Sequence, residues 1–290
     1  MNKAYQPGPT STPHATRQLT PLTNTALTKI LVFDSGVGGL SILQALQETL
    51  PDCEYIYASD NEAFPYGTKS AEFLITRVQC VLQALIKKTQ AHIIVVACNT
   101  ASTLVLPHIR RHFTIPIVGV VPAIKPAAQQ SETKVIGLLG TPGTVTRDYT
   151  KALIEEFAKG CEVVSVGSSE LVILAEEALR GVSPPQTALR SLLKPLIDKR
   201  QLDTVVLACT HFPLIKKQLI DALPRSVNWV DSGEAIARRV SSLLDNQPPV
   251  ETQKQAGGNT AIFTMQSADI DCLRDVLKRF SLARLEYIQV

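Results

Sequence analysis

Short runs of consecutive apolar residues alternate along this chain with segments whose apolar residues recur every three or four positions. The runs are KILVFD (29–34), EYIYASD (54–60), HIIVVACN (92–99), IPIVGVV (115–121), KVIGLLG (134–140), CEVVSVG (161–167), TVVLAC (204–209) and VNWVD (227–231). A strand buried on both faces of a parallel sheet needs such an unbroken run. Helical spacing falls between them, at 40–50, 71–88, 149–158 and 214–223. The alternation predicts an α/β fold of parallel sheets wrapped by helices.

The order of signals repeats. Lys29 opens a strand that runs into DSGVGG, and a cysteine-ended strand follows at Cys98; Lys134 opens one that runs into GTPGT, and a cysteine-ended strand follows at Cys209. The expectation is two similar domains, each a mainly parallel sheet flanked by helices, with the active site in the cleft between them. The first comprises 29–122 with 232–290 and the second 123–231. They join near VVPAIKPAAQQ (120–130), where prolines and small residues break the period. Residues 1–28, rich in Pro and Thr and without the apolar block of a signal peptide, read as a mobile arm, and NQPPVETQKQAGG (246–258) as an exposed loop.

Composition narrows the partners. With 290 residues, a formal net charge of +3 and 19% charged residues, there is no dense basic run for nucleic acid and no acidic tail. No apolar stretch approaches the roughly 20 residues of a membrane-spanning helix. Small solutes or another protein are the expected partners, with neither nucleic acid nor membrane required. Six cysteines lie scattered without a C-x-x-C pair, which predicts reduced thiols, a cytoplasmic protein and no metal.

In open parallel sheets ligands sit beyond the carboxyl ends of the strands. There VVACNTAS places Cys98 before Asn99 and Thr100, and VLACTHFP places Cys209 before Thr210 and His211. A thiol at a helix N-terminus is expected to have its pKa lowered from about 8.5 toward neutrality, and so to serve as base or nucleophile. The other cysteines, Cys53, Cys80, Cys161 and Cys272, lack a polar cluster and read as packing. Phosphatase chemistry would need an arginine where Leu104 and Ile215 stand, zinc would need a second ligand pair, and a peptidase pair would leave Cys98 unexplained. The glycines of DSGVGGL suit an anion-binding turn, but Ser41 occupies the last glycine position of the dinucleotide fingerprint.

FDSGVGGLS, FPYGTKS, VVACNTAS, VVPAIKPA, GLLGTPGTV, LACTHFP and VDSGEAIA, in this order, resemble the motifs of the glutamate racemases of the aspartate/glutamate racemase family. The resemblance runs from about residue 29 to 240 and more weakly beyond. It implies a cofactor-independent isomerase that interconverts L-glutamate and D-glutamate to supply D-glutamate for peptidoglycan. Racemisation needs two bases flanking Cα, one protonated and one not. By the resemblance these are Cys98, facing D-glutamate, and Cys209, facing L-glutamate, with Asp34 assisting the first and His211 and Glu176 the second. Substrate contacts are expected from Asp34, Ser35, Tyr66, Gly67, Asn99, Thr100, Thr141, Thr144, Thr210 and His211. The proline-rich arm and LPHIRRHFTIPIVGVVPAIKPA resemble the longer Gram-negative type, activated by UDP-N-acetylmuramoyl-L-alanine. Arg110 with Gly119, Val120, Val121, Pro122, Ala123, Ile124 and Lys125 would then bind the activator. A monomer or homodimer is expected. Rival readings are an aspartate or hydantoin racemase of the same build, a two-lobed amino-acid-binding module without catalysis, and a nicotinamide enzyme.

Overall fold

The computed structural model describes residues 27–245 and 258–290. The arm expected at 1–28 falls outside the described residues up to residue 26, and the loop expected at 246–258 up to residue 257. Strands β1 (Lys29–Asp34), β2 (Glu54–Ser59), β3 (Ile93–Val96) and β4 (Ile117–Gly119) open one sheet. Strands β5 (Val135–Gly140), β6 (Glu162–Gly167), β7 (Thr204–Ala208) and β8 (Asn228–Val230) form a second, in the order β6-β5-β7-β8. The chain then returns to the first sheet with β9 (Thr260–Phe263) and β10 (Arg284–Tyr287), completing the order β10-β9-β2-β1-β3-β4. All pairings among the described residues are parallel.

Helices α1 (Leu40–Thr49), α2 (Ala71–Thr89) and α3 (Asn99–His112) belong to the first sheet. Around the second lie α4 (Ile124–Gln130), α5 (Pro142–Thr146), α6 (Asp148–Phe157), α7 (Glu170–Leu179), α8 (Gln186–Leu192), α9 (Lys194–Asp198) and α10 (Lys216–Ala222). Helix α11 (Gly233–Asp245) returns to pack on α1, and α12 (Ala268–Asp271) and α13 (Arg274–Arg279) connect β9 to β10.

Why these runs become central strands is visible in β1. Ile30 and Val32 face the layer of α1 and α11, whereas Leu31 and Phe33 face that of α2 and α3, and all four are fully buried. Burying each such side chain contributes about 1.5–3 kcal/mol before ordering costs. Helix α2 starts on Ser70, whose side chain accepts the Phe73 N–H, and stops at Gln90 in the left-handed region with φ 52°. The carboxyl ends of β1, β3, β5 and β7 run into Asp34, Cys98, Thr141 and Cys209, and these four ends meet between the lobes.

Candidate active site

Asp34 is fully buried at the end of β1. Its Oδ1 accepts the Ser35 N–H, and the Thr210 hydroxyl reaches across from the other lobe to donate to Oδ2 at 2.9 Å. Burial raises its carboxyl above the ordinary range, against the lowering influence of His211 and the Thr210 hydroxyl. In return Ser41 Oγ at the start of α1 donates to the Thr210 carbonyl at 2.7 Å, so two hydrogen bonds bind the DSGVGGLS stretch to the CTH segment.

Cys98 caps α3 in extended conformation, 6% exposed, with Ser35 Oγ 3.9 Å from its sulfur. The expectation of a thiol lowered by the helix N-terminus fails here. Burial pushes Cys98 up, and the adjacent Asp34 carboxylate pushes it further. The Ala101 N–H of the first helical turn opposes this without prevailing, because desolvating a thiolate costs more than one turn of dipole returns. In the resting site the proton therefore stays on Cys98.

Cys209 differs from expectation in another way. No α-helix begins on it: β7 gives way to a turn and a 3-10 segment at Phe212–Ile215 before α10. Its electrostatic partner is a side chain. His211 Nδ1 lies 3.7 Å from Sγ, and Nε2 lies 2.8 Å from Glu176 Oε1. Burial alone would lower the imidazole, but the Cys209 sulfur and the Glu176 carboxylate hold it well above its ordinary value. Glu176, 7% exposed, is itself resisted by burial yet held low by the His211 hydrogen bond and charge, by the Val37 N–H at 2.9 Å, and by Arg180. The imidazole thus stands between the two groups, with Nδ1 facing Cys209 and Nε2 facing the Glu176 carboxylate.

The glycines of DSGVGG find their explanation in this pair. A Cβ on Gly36 would lie 2.4 Å from Glu176 Oε1, and one on Gly38 would lie 2.3 Å from His211 Nδ1. The turn is thin so that the opposite lobe can press its acid and base against it, and not to admit a phosphate.

A cavity between the lobes is lined by Ser35, Tyr66, Gly67, Cys98, Asn99, Thr100, Thr141, Cys209, Thr210 and His211, together with Phe64, Pro65, Ser169 and Val172. Thr100 and Thr141 hydroxyls meet at 3.2 Å across the lobes, and Thr144 backs Thr141 at 2.9 Å. The Asn99 Oδ1 is buried with no protein partner among the described residues, an acceptor left for a ligand donor. Tyr66 contributes its ring, because its hydroxyl is committed to Asp60 at 2.6 Å. Ser169 went unread in the sequence, although it follows the end of β6 where the same strand-end logic applies. Among the described residues no group of three or more His, Cys, Asp or Glu is disposed to hold an ion.

The eight expected activator residues divide. Val120, Pro122, Ala123 and Ile124 are buried, Val120 in the first core and Ala123 and Ile124 in the second, so their side chains are unavailable to a ligand. Arg110, Gly119, Val121 and Lys125 reach solvent. Arg110 already donates to the Ile117 carbonyl through Nε at 3.2 Å and Nη2 at 3.0 Å, and the Lys125 ammonium sits 5.3 Å over the Phe157 ring. No helix among the described residues is long and apolar enough to cross a membrane.

Residues 40–240 match the family model described as Asp/Glu/Hydantoin racemase. The chain is 48% identical over 266 residues to the glutamate racemase of Photorhabdus laumondii, covering 91% of this chain and 92% of that one. Among solved structures it is similar to Escherichia coli glutamate racemase in complex with L-glutamate and the activator UDP-MurNAc-Ala, with TM-score 0.87 and 45% identity over 91% of this chain and 99% of that one. It is also similar to the Francisella tularensis glutamate racemase in complex with D-glutamate, with TM-score 0.75 and 26% identity over 90% and 97% of the two chains.

Proposed function

The chain belongs to the Asp/Glu/hydantoin racemase family, and from that premise we propose that it interconverts L-glutamate and D-glutamate without a cofactor, supplying D-glutamate for peptidoglycan in the cytoplasm. The observation that carries this reading is the pair of thiols lining one cavity, each at a strand end of a different sheet and each with its own charged assistant.

In the L-to-D direction the Cys209 thiolate removes the Cα proton of L-glutamate while the Cys98 S–H delivers its proton to the opposite face. One proton leaves carbon and one arrives, so the sulfurs exchange protonation states and the D-to-L direction runs the same path backwards. The His211 imidazolium stabilises the negative charge on Cys209 before the transfer, and Glu176 holds that imidazole charged and oriented. Asp34 favours a protonated Cys98 at rest and strengthens the thiolate there as a base when D-glutamate is substrate. Backbone N–H groups and the hydroxyls of Ser35, Thr100, Thr141 and Thr210 hold the carboxylates, while Asn99 Oδ1 accepts from the ammonium. Thr144 acts behind Thr141, and Gly67 through its backbone.

We assign Arg110, Gly119, Val121 and Lys125 to a surface that receives UDP-N-acetylmuramoyl-L-alanine, on the strength of the activator bound to the Escherichia coli relative. The test is proton NMR with L-glutamate in deuterium oxide, with and without that nucleotide, followed by a chiral assay of the same tube. Loss of the Cα proton with appearance of D-glutamate is expected. Survival of both proton and handedness, with the nucleotide present, overturns the reading in favour of an amino-acid-binding module.

A further inference from the structure

Arg147 stands at the junction of α5 and α6 in extended conformation, half-buried, and its guanidinium leaves its own lobe. Nη1 donates to the Thr100 carbonyl at 3.1 Å and to Thr103 Oγ1 at 2.9 Å, both on α3 of the first lobe. The Thr103 hydroxyl passes the connection on to the Asn99 carbonyl at 2.9 Å. Among the described residues Arg147 forms no ion pair, so a half-buried cation is spent on two neutral acceptors in the turn that begins at Cys98. Removing a guanidinium from water without an anion is costly, and the arrangement persists only if the geometry serves something else.

The place explains what it serves. Thr100 and Thr141 form the wall of the cavity by their hydroxyl contact, and Arg147 passes behind that wall, closing a ring from α5 to α3 and back. We propose that Arg147 is a positioning residue of the reaction: it ties the first turn of α3, and with it Cys98 and Asn99, to the second lobe and places an unpaired positive charge on the Cys98 side of the cleft. The inference rests on the two-thiol reading above. The titratable and charged groups that face Cys98 are Asp34 from β1, Tyr57 from β2, Tyr66 from the turn after it, Cys209 from the end of β7, and Arg147. Arg147 is the cation on the Cys98 side of the cavity, His211 standing on the Cys209 side, and it opposes Asp34 whenever Cys98 must act as the base.

The experiment compares the wild type with Arg147→Gln, Arg147→Lys and Thr103→Val. Steady-state racemisation is measured in both directions, and the pH dependence of iodoacetamide alkylation is read separately at Cys98 and Cys209 by peptide mass spectrometry. Arg147→Gln is expected to lower kcat/KM about tenfold or more, as misplacement of a reacting group does, and to move the alkylation midpoint of Cys98 upward while leaving that of Cys209 in place. Arg147→Lys restores the Cys98 midpoint but not kcat/KM, because it keeps the charge and loses the fork. Thr103→Val lowers kcat/KM without moving the midpoint. A Gln variant within about twofold of wild type in kcat/KM and with an unmoved Cys98 midpoint overturns the proposal. If that variant does not fold, wild-type kcat/KM in both Arg147→Lys and Thr103→Val overturns it instead. A wild-type protein that does not racemise sinks the underlying reading, and the Cys98 midpoint still reports separately on Arg147.

Discussion

At the scale of single residues the two thiols are alike in burial and unlike in company, and this asymmetry makes predictions. Serine at either Cys98 or Cys209 is expected to lower racemisation by at least about 10²–10⁴-fold, the range of one general acid or base, measured by circular dichroism of the glutamate product. His211 is held above its ordinary value by Cys209 and Glu176. Its charge therefore assists fully at low pH and is lost as pH rises through that raised value. Glu176→Gln removes one of the two groups that raise it, so the alkaline limb of the rate profile moves to lower pH; a limb that stays in place rules out the pairing as its cause. The sequence alone does not distinguish Glu176 from its neighbour Glu177, because what separates them is contact with His211 and Val37, which lie 35 and 139 positions away. The direction of the Cys98 shift was illegible for a related reason: helix position is local information, whereas burial belongs to the folded whole.

At the scale of elements the legible parts are those whose signal is local. Buried parallel strands announce themselves as apolar runs, and the boundaries observed for β1, β2 and β6 fall within a residue of those runs. The short helices α8 and α9 carry too few turns to show a period, and the C-terminal end of α9 is satisfied from a distance. Arg225 does this for α9, donating to the carbonyls of Leu196 at 2.7 Å, Ile197 at 3.1 Å, Lys199 at 2.6 Å and Leu202 at 3.3 Å. Arg225→Ala strips those acceptors and is expected to cost about 2–3 kcal/mol, read by urea unfolding, with activity intact below the new transition. The DSGVGG turn makes the opposite prediction. Gly38→Ala sets a Cβ against His211 across the lobes and is expected to cost about 1–3 kcal/mol, together with most of the activity, since the CTH segment must retreat.

At the scale of the molecule the lobes are closed on the site. Hydrogen bonds cross its rim from one lobe to the other, between the Thr100 and Thr141 hydroxyls and from the Thr210 hydroxyl to Asp34. A ligand in this cavity touches residues of both lobes, so it binds only the folded chain. Because ligand then binds the folded, closed form, D-glutamate at about 100 times its dissociation constant is expected to add about 2.7 kcal/mol of stability. A double Cys98→Ser, Cys209→Ser variant should show a similar rise in melting temperature by differential scanning fluorimetry, since a hydroxyl replaces each thiol and every other cavity residue stays in place. Absence of the rise in both proteins would mean that glutamate is not the ligand.

The return of β9 and β10 to the first sheet sets the order in which the protein can be made. β9 pairs with β2 from Ile56 opposite Thr260 to Ser59 opposite Phe263, yet more than half of the chain lies between them. On the ribosome the second lobe has emerged whole while β2 still presents a bare edge and the layer that Phe263, Leu273 and Leu277 complete is unfilled. Such an edge invites pairing with another nascent chain. A chain terminated after Asp245 therefore keeps both cysteines and loses solubility, and the yield of active protein is governed by how promptly β9 and β10 return to the first sheet.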